Sequence, residues 1–241
     1  MISRARATNR LLQALNDADF ALLEPHLNEV ELGKGLDLIE AHSPVRFSWF
    51  LCSGLASVVA TTASGSQAEV GVVGREGMVA TATIHGADEM PLRVFMQLPG
   101  AGWRLRAEDL RAAIKASASL ERLMLLYAES FTLQIAGTAL AYATRTIEER
   151  LARWLLMCDD RVDDGMVPLT HEQLSSMLGV RRAGVTVALQ SLEGAGMVGT
   201  RRGAIQITDR ASLLRLTGDA YGGPELDYER LIGKFNSVLV A

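Results

Sequence analysis

Arginine side chains are the groups with the most recognisable chemistry in the C-terminal third of the chain. Residues 168–217 contain six arginines and three acidic residues, a net charge of +3, whereas the whole chain of 241 residues carries a net charge of −4. A guanidinium group can donate two parallel hydrogen bonds to a guanine edge or to a phosphate. A basic region in an acidic protein therefore indicates a DNA-binding or anion-binding surface, although a solvated surface has the same composition.

The pattern around these arginines is that of two short helices joined by a glycine turn. Thr170 and Gln173 have capping-box spacing at the start of the first helix, and Gly179 can adopt the left-handed turn that ends it. A second helix follows, and then a segment that predicts a β-hairpin turning at Arg202-Gly203. The apolar positions of the two helices repeat at helical spacing: Leu174, Met177, Leu178, Val185, Leu189 and Leu192. This combination is typical of a winged helix-turn-helix.

In a helix-turn-helix the second helix enters the major groove of DNA, and its N-terminal residues meet the base edges. The candidate base-reading residues are the outward positions of that helix, Arg181, Arg182, Thr186 and Gln190. The candidate phosphate contacts lie at a helix N-terminus and in the wing, at Thr170, Arg201 and Arg202. Plain helical bundles use the same geometry, but the wing and the arginines favour double-stranded DNA as the partner.

The elements that carry this motif change character along the chain. Residues 8–27 are predicted to be helical, with a break at Asn16-Asp17. From Glu29 to Arg106, short alternating runs are separated by glycines, which predicts a small β-barrel or sandwich. No strand–helix–strand rhythm is present there, so a doubly wound nucleotide-binding sheet is disfavoured. Residues 107–117 are predicted to form a short helix.

A long helix is predicted from about Leu120 to Tyr142. Its apolar residues recur at steps of three and four, the spacing of a coiled coil, and this seam is the predicted dimer contact: Leu120, Met124, Tyr127, Phe131, Ile135, Thr138 and Tyr142. A second stripe lies on a neighbouring face: Leu123, Leu126, Leu133 and Leu140. Two stripes need two partners, and the simplest pair is the chain's own barrel and a second copy. A core helix of a monomer has the same periodicity.

The order of these parts resembles the Crp/Fnr family of bacterial transcription regulators. The similarity covers about residues 9–210 and is most specific at 169–192 and 70–78. The resemblance implies an α+β fold: an N-terminal β-barrel or jelly roll of the cyclic-nucleotide-binding type, a long dimerisation helix and a C-terminal winged helix-turn-helix. The expected domains are an effector-sensing barrel at 1–118, the dimerisation helix at 119–145, and the DNA-binding domain with a C-terminal extension at 146–241.

The resemblance also implies a homodimer on a two-fold operator and an effector pocket between barrel and long helix. The pocket candidates are Gly74, Arg75, Glu76, Gly77, Arg93, Tyr127 and Phe131. Members that bind cyclic nucleotides combine a Gly-Glu-Leu turn with a later Arg-Ser, whereas this chain has Gly-Arg-Glu-Gly and Met90-Pro91. We therefore expect that the barrel does not bind cyclic AMP in the usual way, and the effector is not identified. A cyclic-nucleotide-responsive regulator with an atypical phosphate site is the alternative.

The recognition helix departs from the family as well. The best-known members carry Arg-Glu followed later by Arg, whereas this chain has Arg182-Ala183 and Val187. One guanine reader and the acceptor for cytosine N4 are lost, so we expect a different operator.

Other function classes have little support in the sequence. The chain has two cysteines, no window of 18 uncharged apolar residues and no secretory pattern, so we expect a cytoplasmic protein without a membrane span. It has no phosphate loop, metal-ligand motif or serine elbow, so we expect no enzyme, metal or cofactor. The expected partners are DNA, a second copy and RNA polymerase; a non-DNA interaction module is the alternative. The C-terminal extension lies beyond the family match, and a helix from Asp227 to Val240 is predicted to cover the DNA-binding domain.

Overall fold

The computed structural model describes residues 8–162, 165–201 and 203–235. The helices of these residues are α1 (Arg10–Gln13), α2 (Asp17–Leu23), α3 (Thr81–Ile84), α4 (Ala107–Ala116), α5 (Ala118–Thr144), α6 (Ile147–Asp159), α7 (His171–Leu178), α8 (Arg182–Gly194), α9 (Arg210–Thr217) and α10 (Gly223–Leu231). The strands are β1 (Asn28–Leu32), β2 (Asp37–Ile39), β3 (Ser43–Pro44), β4 (Phe47–Leu51), β5 (Leu55–Thr61), β6 (Gln67–Val73), β7 (Met78–Val79), β8 (Glu89–Met90), β9 (Arg93–Leu98), β10 (Gly100–Arg106), β11 (Met166–Val167), β12 (Val198–Arg201) and β13 (Ala204–Ile207).

The predicted β region forms two antiparallel four-stranded sheets packed face to face. Their strand orders are β1-β10-β4-β7 and β2-β9-β5-β6, and a short β3-β8 pair extends the structure. Within the described part of the chain neither sheet closes on itself, so the N-terminal unit is a jelly-roll-type sandwich rather than a closed barrel. The α+β class and the predicted helix order are confirmed. We call this unit the sandwich.

The long helix α5 packs its predicted seam against the sandwich of its own chain. Leu120 and Met124 are fully buried, the Tyr127 hydroxyl donates to the carbonyl of Met78 at 2.8 Å, and Phe131 lies against β6. The remaining seam residues are buried or half-buried: Ile135, Thr138 and Tyr142. These side chains pack within one chain, and Leu120, Met124 and Phe131 are too deeply buried to contact a second copy, the role that the sequence predicted for them.

The second stripe of α5 faces outward instead. Leu140 is 64% exposed, whereas Leu123, Leu126 and Leu133 are half-buried; Leu125, beside this stripe, is 46% exposed. The helix is so apolar, with a mean hydropathy of 1.3 over an 18-residue window that is only 39% buried, that by length and composition alone it could cross a membrane. An exposed apolar stripe of this length needs a covering partner.

The sandwich is joined to the C-terminal helices by a buried polar contact. Glu69 on β6 is 3% exposed, and its carboxylate accepts from the Trp154 indole of α6 and from the Ser57 hydroxyl. The Tyr142 hydroxyl lies 2.9 Å from the carbonyl of Glu69 and 2.7 Å from that of Met177 on α7. These contacts fix α7, the first helix of the helix-turn-helix, against the sandwich.

This joint makes the stability of the protein depend on pH. Burial raises the pKa of Glu69 from 4.5 to about 7, although the two hydrogen bonds partly oppose the shift. The folded state therefore holds a proton that the unfolded state loses, and stability falls as the pH rises from about 4.5 to about 7. Glutamine does not titrate, so the unfolding free energy of Glu69→Gln, taken relative to that of the wild type, should be about 2–3 kcal/mol higher at pH 8 than at pH 5. Urea unfolding at both pH values measures the difference. The exposed Glu31→Gln is the control, and an equal response of both variants would contradict the assignment.

Candidate nucleic-acid interface

The helix-turn-helix forms where the sequence predicts it. The Thr170 hydroxyl accepts from the amide of Gln173 at 3.2 Å, and the Gln173 side chain accepts from the amide of Thr170 at 3.0 Å, so the capping box of α7 is complete. Gly179 ends α7 with φ of 61°, a left-handed conformation that glycine adopts without steric cost. The chain then turns into α8.

The inner and outer faces of α8 are clearly separated. Its inner face contributes to the core shared by α6, α7 and the wing: Val185, Ala188, Leu189 and Leu192. On the outer face, Arg181, Arg182 and Gln190 are exposed. Neither of these arginines forms an ion pair within the described residues, so both guanidinium groups are available to an external acceptor. These three side chains can therefore donate to base edges or phosphates.

Thr186 occupies a different environment from its neighbours on α8. It is half-buried, its hydroxyl donates to the carbonyl of Arg182 at 3.1 Å, and the same oxygen lies 3.0 Å from Nδ1 of His171. The hydroxyl is thus engaged inside the motif and ties the N-terminus of α7 to α8. We infer that Thr186 positions the helix more than it reads bases.

Val187 is an outward-facing residue that the sequence interpretation did not select. Its side chain is 62% exposed, and the small exposed side chain of Ala183 precedes it by one turn on the same face. The signal was present in the spacing, because positions 183, 187 and 190 recur at helical intervals opposite the buried face. The middle of this face is therefore apolar, with polar side chains at its two ends.

The wing is a three-stranded sheet in the order β11-β13-β12. Arg201 is exposed at the end of β12, opposite Ala204 on β13, whereas Arg202 lies outside the described residues. Arg210 contributes nothing to a basic surface, because it pairs with Asp159 at 2.5 Å and Asp160 at 2.7 Å. The basic surface is thus smaller than the arginine count indicates.

The predicted effector-pocket residues do not all come together. Glu76, Tyr127 and Phe131 line one small cavity between the sandwich and α5, which encloses about 10 Å³. Gly74, Arg75 and Gly77 belong to the same turn as Glu76. Arg93 does not belong to this group, because it lies on β9, which β5 separates from β6 in the same sheet, and it is paired with Asp37 at 2.6 Å and packed over Phe95. Sequence proximity to the turn did not predict the strand order that keeps Arg93 away from it.

The largest group that sequence reasoning missed surrounds this cavity. Arg161 at the end of α6 is fully buried and donates through Nε to Glu76 Oε1 at 2.9 Å. The C-terminal extension covers the pair from outside through Glu225, Tyr228 and Phe235. Of the helix predicted over 227–240, the described residues 227–231 are helical, as the end of α10, and residues 232–235 are not; α10 packs along α5 rather than over the DNA-binding helices. The part of that prediction from residue 236 onward lies outside the described residues.

Comparison with known proteins agrees with this architecture. Residues 149–216 match the model of the Crp-like helix-turn-helix domain. Among solved structures, the chain is similar to a protein assigned to the Crp/Fnr family of transcriptional regulators from Eubacterium rectale, with 19% identity over 86% of this chain and 97% of that one and a TM-score of 0.69. It is also similar to FixK2 from Bradyrhizobium japonicum (17% identity, 79% and 96% covered, TM-score 0.68) and to a CRP-family transcriptional regulator from Thermus thermophilus (17%, 78% and 96%, TM-score 0.64). No curated protein sequence matches the chain. At these identities the structural matches establish the fold.

Proposed function

Because residues 149–216 form a Crp-like helix-turn-helix domain and the chain has the Crp/Fnr fold, we propose that this protein is a transcription regulator that binds specific double-stranded DNA sites as a homodimer. The observation that carries the proposal is the outer face of α8, where two arginines and a glutamine are exposed. We assign the sandwich to residues 1–118, the dimerisation helix to 119–145 and the DNA-binding domain with its C-terminal extension to 146–241. The protein is expected to act in the cytoplasm, with RNA polymerase as a further partner.

The outward stripe of α5 supports the dimer. Leu126, Leu133 and Leu140 repeat every seven residues, and the small exposed side chains of Ala136 and Ala143 each follow one of them by three residues on the same side. Small residues at these positions let two helices approach closely. Packed in this way, two copies would present their α8 helices to successive major grooves about 34 Å apart, one turn of DNA.

The outer face of α8 supports a mixed sequence preference. Arg182 has the donor geometry for guanine, Gln190 that for adenine, and Val187 offers an apolar surface to the methyl group of thymine. Arg181, Arg201 and the N-terminus of α7 at Thr170 are placed to contact phosphates. Arg202, which the sequence predicts to lie in the wing, is proposed from the sequence alone as a further phosphate contact.

Selection of bound duplexes from random DNA tests the proposal directly. We expect enrichment of a two-fold symmetric site whose half-sites lie one helical turn apart. The Arg181→Ala/Arg182→Ala variant, processed in parallel, should lose the consensus while keeping its fold, because both side chains are exposed. Failure of the wild type to enrich any sequence over scrambled competitor would refute the function.

Val187 provides a prediction at the level of a single methyl group. Burying an exposed valine against a thymine methyl stabilises a complex by about 1 kcal/mol, or roughly fivefold in affinity. We expect Val187→Ala to weaken binding to the selected site by that amount. Replacing one particular thymine by deoxyuridine should weaken the wild type equally and leave the variant unaffected. If Val187→Ala loses the same affinity on thymine and deoxyuridine duplexes, the contact does not exist.

The alternatives have less support. A pocket for a drug-sized ligand measures roughly 300 Å³ or more. The space between sandwich and α5 encloses about 10 Å³ and contains the buried Glu76–Arg161 pair. A cyclic nucleotide would have to displace this pair. A non-DNA interaction module gives no reason for the exposed arginines on α8.

A further inference from the structure

The C-terminal segment, defined as residues 218–235, fills the space between the sandwich, α5 and α6. Helix α10 lies so close to α5 that a Cβ atom on Gly137 would be 3.1 Å from Cγ of Pro224. On its inner side the Tyr228 hydroxyl donates to the carbonyl of Glu76 at 2.6 Å. The cavity that remains has room for one water molecule at most. The segment therefore fills most of this space.

The segment also seals a charged pair that links two parts of the chain. Arg161 comes from the end of α6 and Glu76 from the sandwich, and both side chains are nearly inaccessible, at 1% and 6% exposure. The Phe235 ring lies 5.1 Å from the Arg161 guanidinium carbon and 5.3 Å from the Tyr228 ring. A buried pair is strong only while water is kept away from it, so these rings maintain the link.

Two further contacts connect the segment to α6. The Tyr221 hydroxyl donates to Asp160, which also accepts from Arg210 on α9 at 2.7 Å. Arg153 on α6 donates through Nε to the carbonyl of Ala220 at 2.9 Å. Because α6 packs against both α8 and α9, the segment fixes the orientation of the recognition helix relative to the sandwich.

The inner face of the segment is suited to reversible binding. Its buried residues are three aromatic side chains, Tyr221, Tyr228 and Phe235, and one carboxyl group, that of Glu225, which is 2% exposed. Arg153 and Arg161 act on Glu225 through space, but burial dominates and raises its pKa. Moving this carboxyl group into water recovers its solvation, which offsets part of the free energy needed to release the segment. A surface of aliphatic side chains would offer no such compensation.

We propose that the C-terminal segment is an intramolecular latch that lowers operator affinity while it is bound. In the latched form the orientation of α8 is set by contacts made before DNA is present. Release frees α6 and lets the two α8 helices of a dimer adopt the spacing that a duplex selects. The inference rests on the DNA binding proposed above and adds a regulated step to it.

A reversible disulfide tests the latch. The pair Gly137→Cys and Pro224→Cys puts one cysteine on each helix where α10 contacts α5, at the point where a Cβ atom on residue 137 would lie 3.1 Å from Cγ of Pro224. Cys52→Ser removes the half-buried native thiol, and Cys158 is fully buried. Binding is measured to the selected full operator and to one half-site. The Cys52→Ser protein, oxidised and reduced in the same way, is the control.

We expect oxidation to lower affinity for the full operator at least tenfold and to leave half-site affinity unchanged, with full recovery on reduction. Tyr228→Phe and Phe235→Ala, which weaken the closed form, should raise full-operator affinity, whereas Leu226→Ala on the exposed side of α10 should not. Unchanged or increased operator affinity in the oxidised protein would overturn the latch, as would an equal loss on the half-site. Absence of specific binding in every form, the reduced protein included, would instead refute the proposed function.

Discussion

Aspartate at Leu126 and Leu140 is expected to convert the protein to a monomer and to lower operator affinity about 100-fold or more. Both residues belong to the outward stripe of α5, and Leu140 is 64% exposed. A buried interface would place four carboxylates in an apolar contact, which association cannot compensate. A dimer with two linked DNA-binding domains binds a full operator roughly 10²–10⁴ more tightly than a single domain does, and the monomeric variant loses this gain. Sedimentation measures the mass, and titration of full and half operators measures the affinity.

The control for this variant is an exposed leucine outside α5. Leu36→Asp makes the same chemical change at a residue of the sandwich that is 44% exposed, and it should leave mass and affinity unchanged. Half-site binding by the double variant should equal that of the wild type, since its helix-turn-helix is not altered. An unchanged sedimentation mass would show that this stripe does not join the subunits.

A charged substitution on the predicted seam of α5 is expected to act on the fold and not on the dimer. A charge at Phe131, which belongs to the predicted seam, is expected to destabilise the fold rather than separate subunits. Phe131 is 7% exposed and contacts the backbone of β6 at Gly71. Loss of a buried aromatic side chain costs about 3–5 kcal/mol before the charge is counted. Thermal unfolding distinguishes this outcome from dissociation.

The sequence predicted the elements of this fold better than their partners. Capping boxes and glycine turns are local signals, and Thr170 and Gly179 therefore marked helix ends that the structure confirms. The two stripes of α5 have the same periodicity, so spacing did not tell which one faces the sandwich. The aromatic side chains of Tyr127 and Phe131 decide this, because they fill the depth between α5 and the sheet.

The contacts around the latch could not be predicted for a related reason. Tyr228 meets Glu76 across 152 positions of sequence, and no local pattern announces such a pair. Residues 159–164 have the composition of a solvated loop, yet Asp160 and Arg161 are buried there, because each finds a charged partner in another element. The composition of a segment predicts its exposure only when its charges lack such partners.

The second large effect is expected at Arg182, and it distinguishes base reading from phosphate binding. Arg182→Ala should cost about 1–3 kcal/mol on the selected operator and relax specificity at one base pair, with little effect on random DNA. The fold should not suffer, because the side chain is exposed and alanine favours the first turn of α8. Titration of the operator and its single-base variants measures the loss.

Arg201→Ala is the matched change in the wing. The two variants should differ in whether the loss of affinity depends on the DNA sequence. A phosphate contact neutralises one backbone charge whatever the sequence, so this variant should weaken operator and random DNA alike. It should also reduce the slope of log affinity against log salt concentration by about 1 for each copy of the residue, whereas loss of a base contact leaves the slope nearly unchanged. Equal losses on both DNAs for both variants would mean that α8 supplies charge alone. The specificity would then have to come from the shape of the DNA or from the apolar face at Val187.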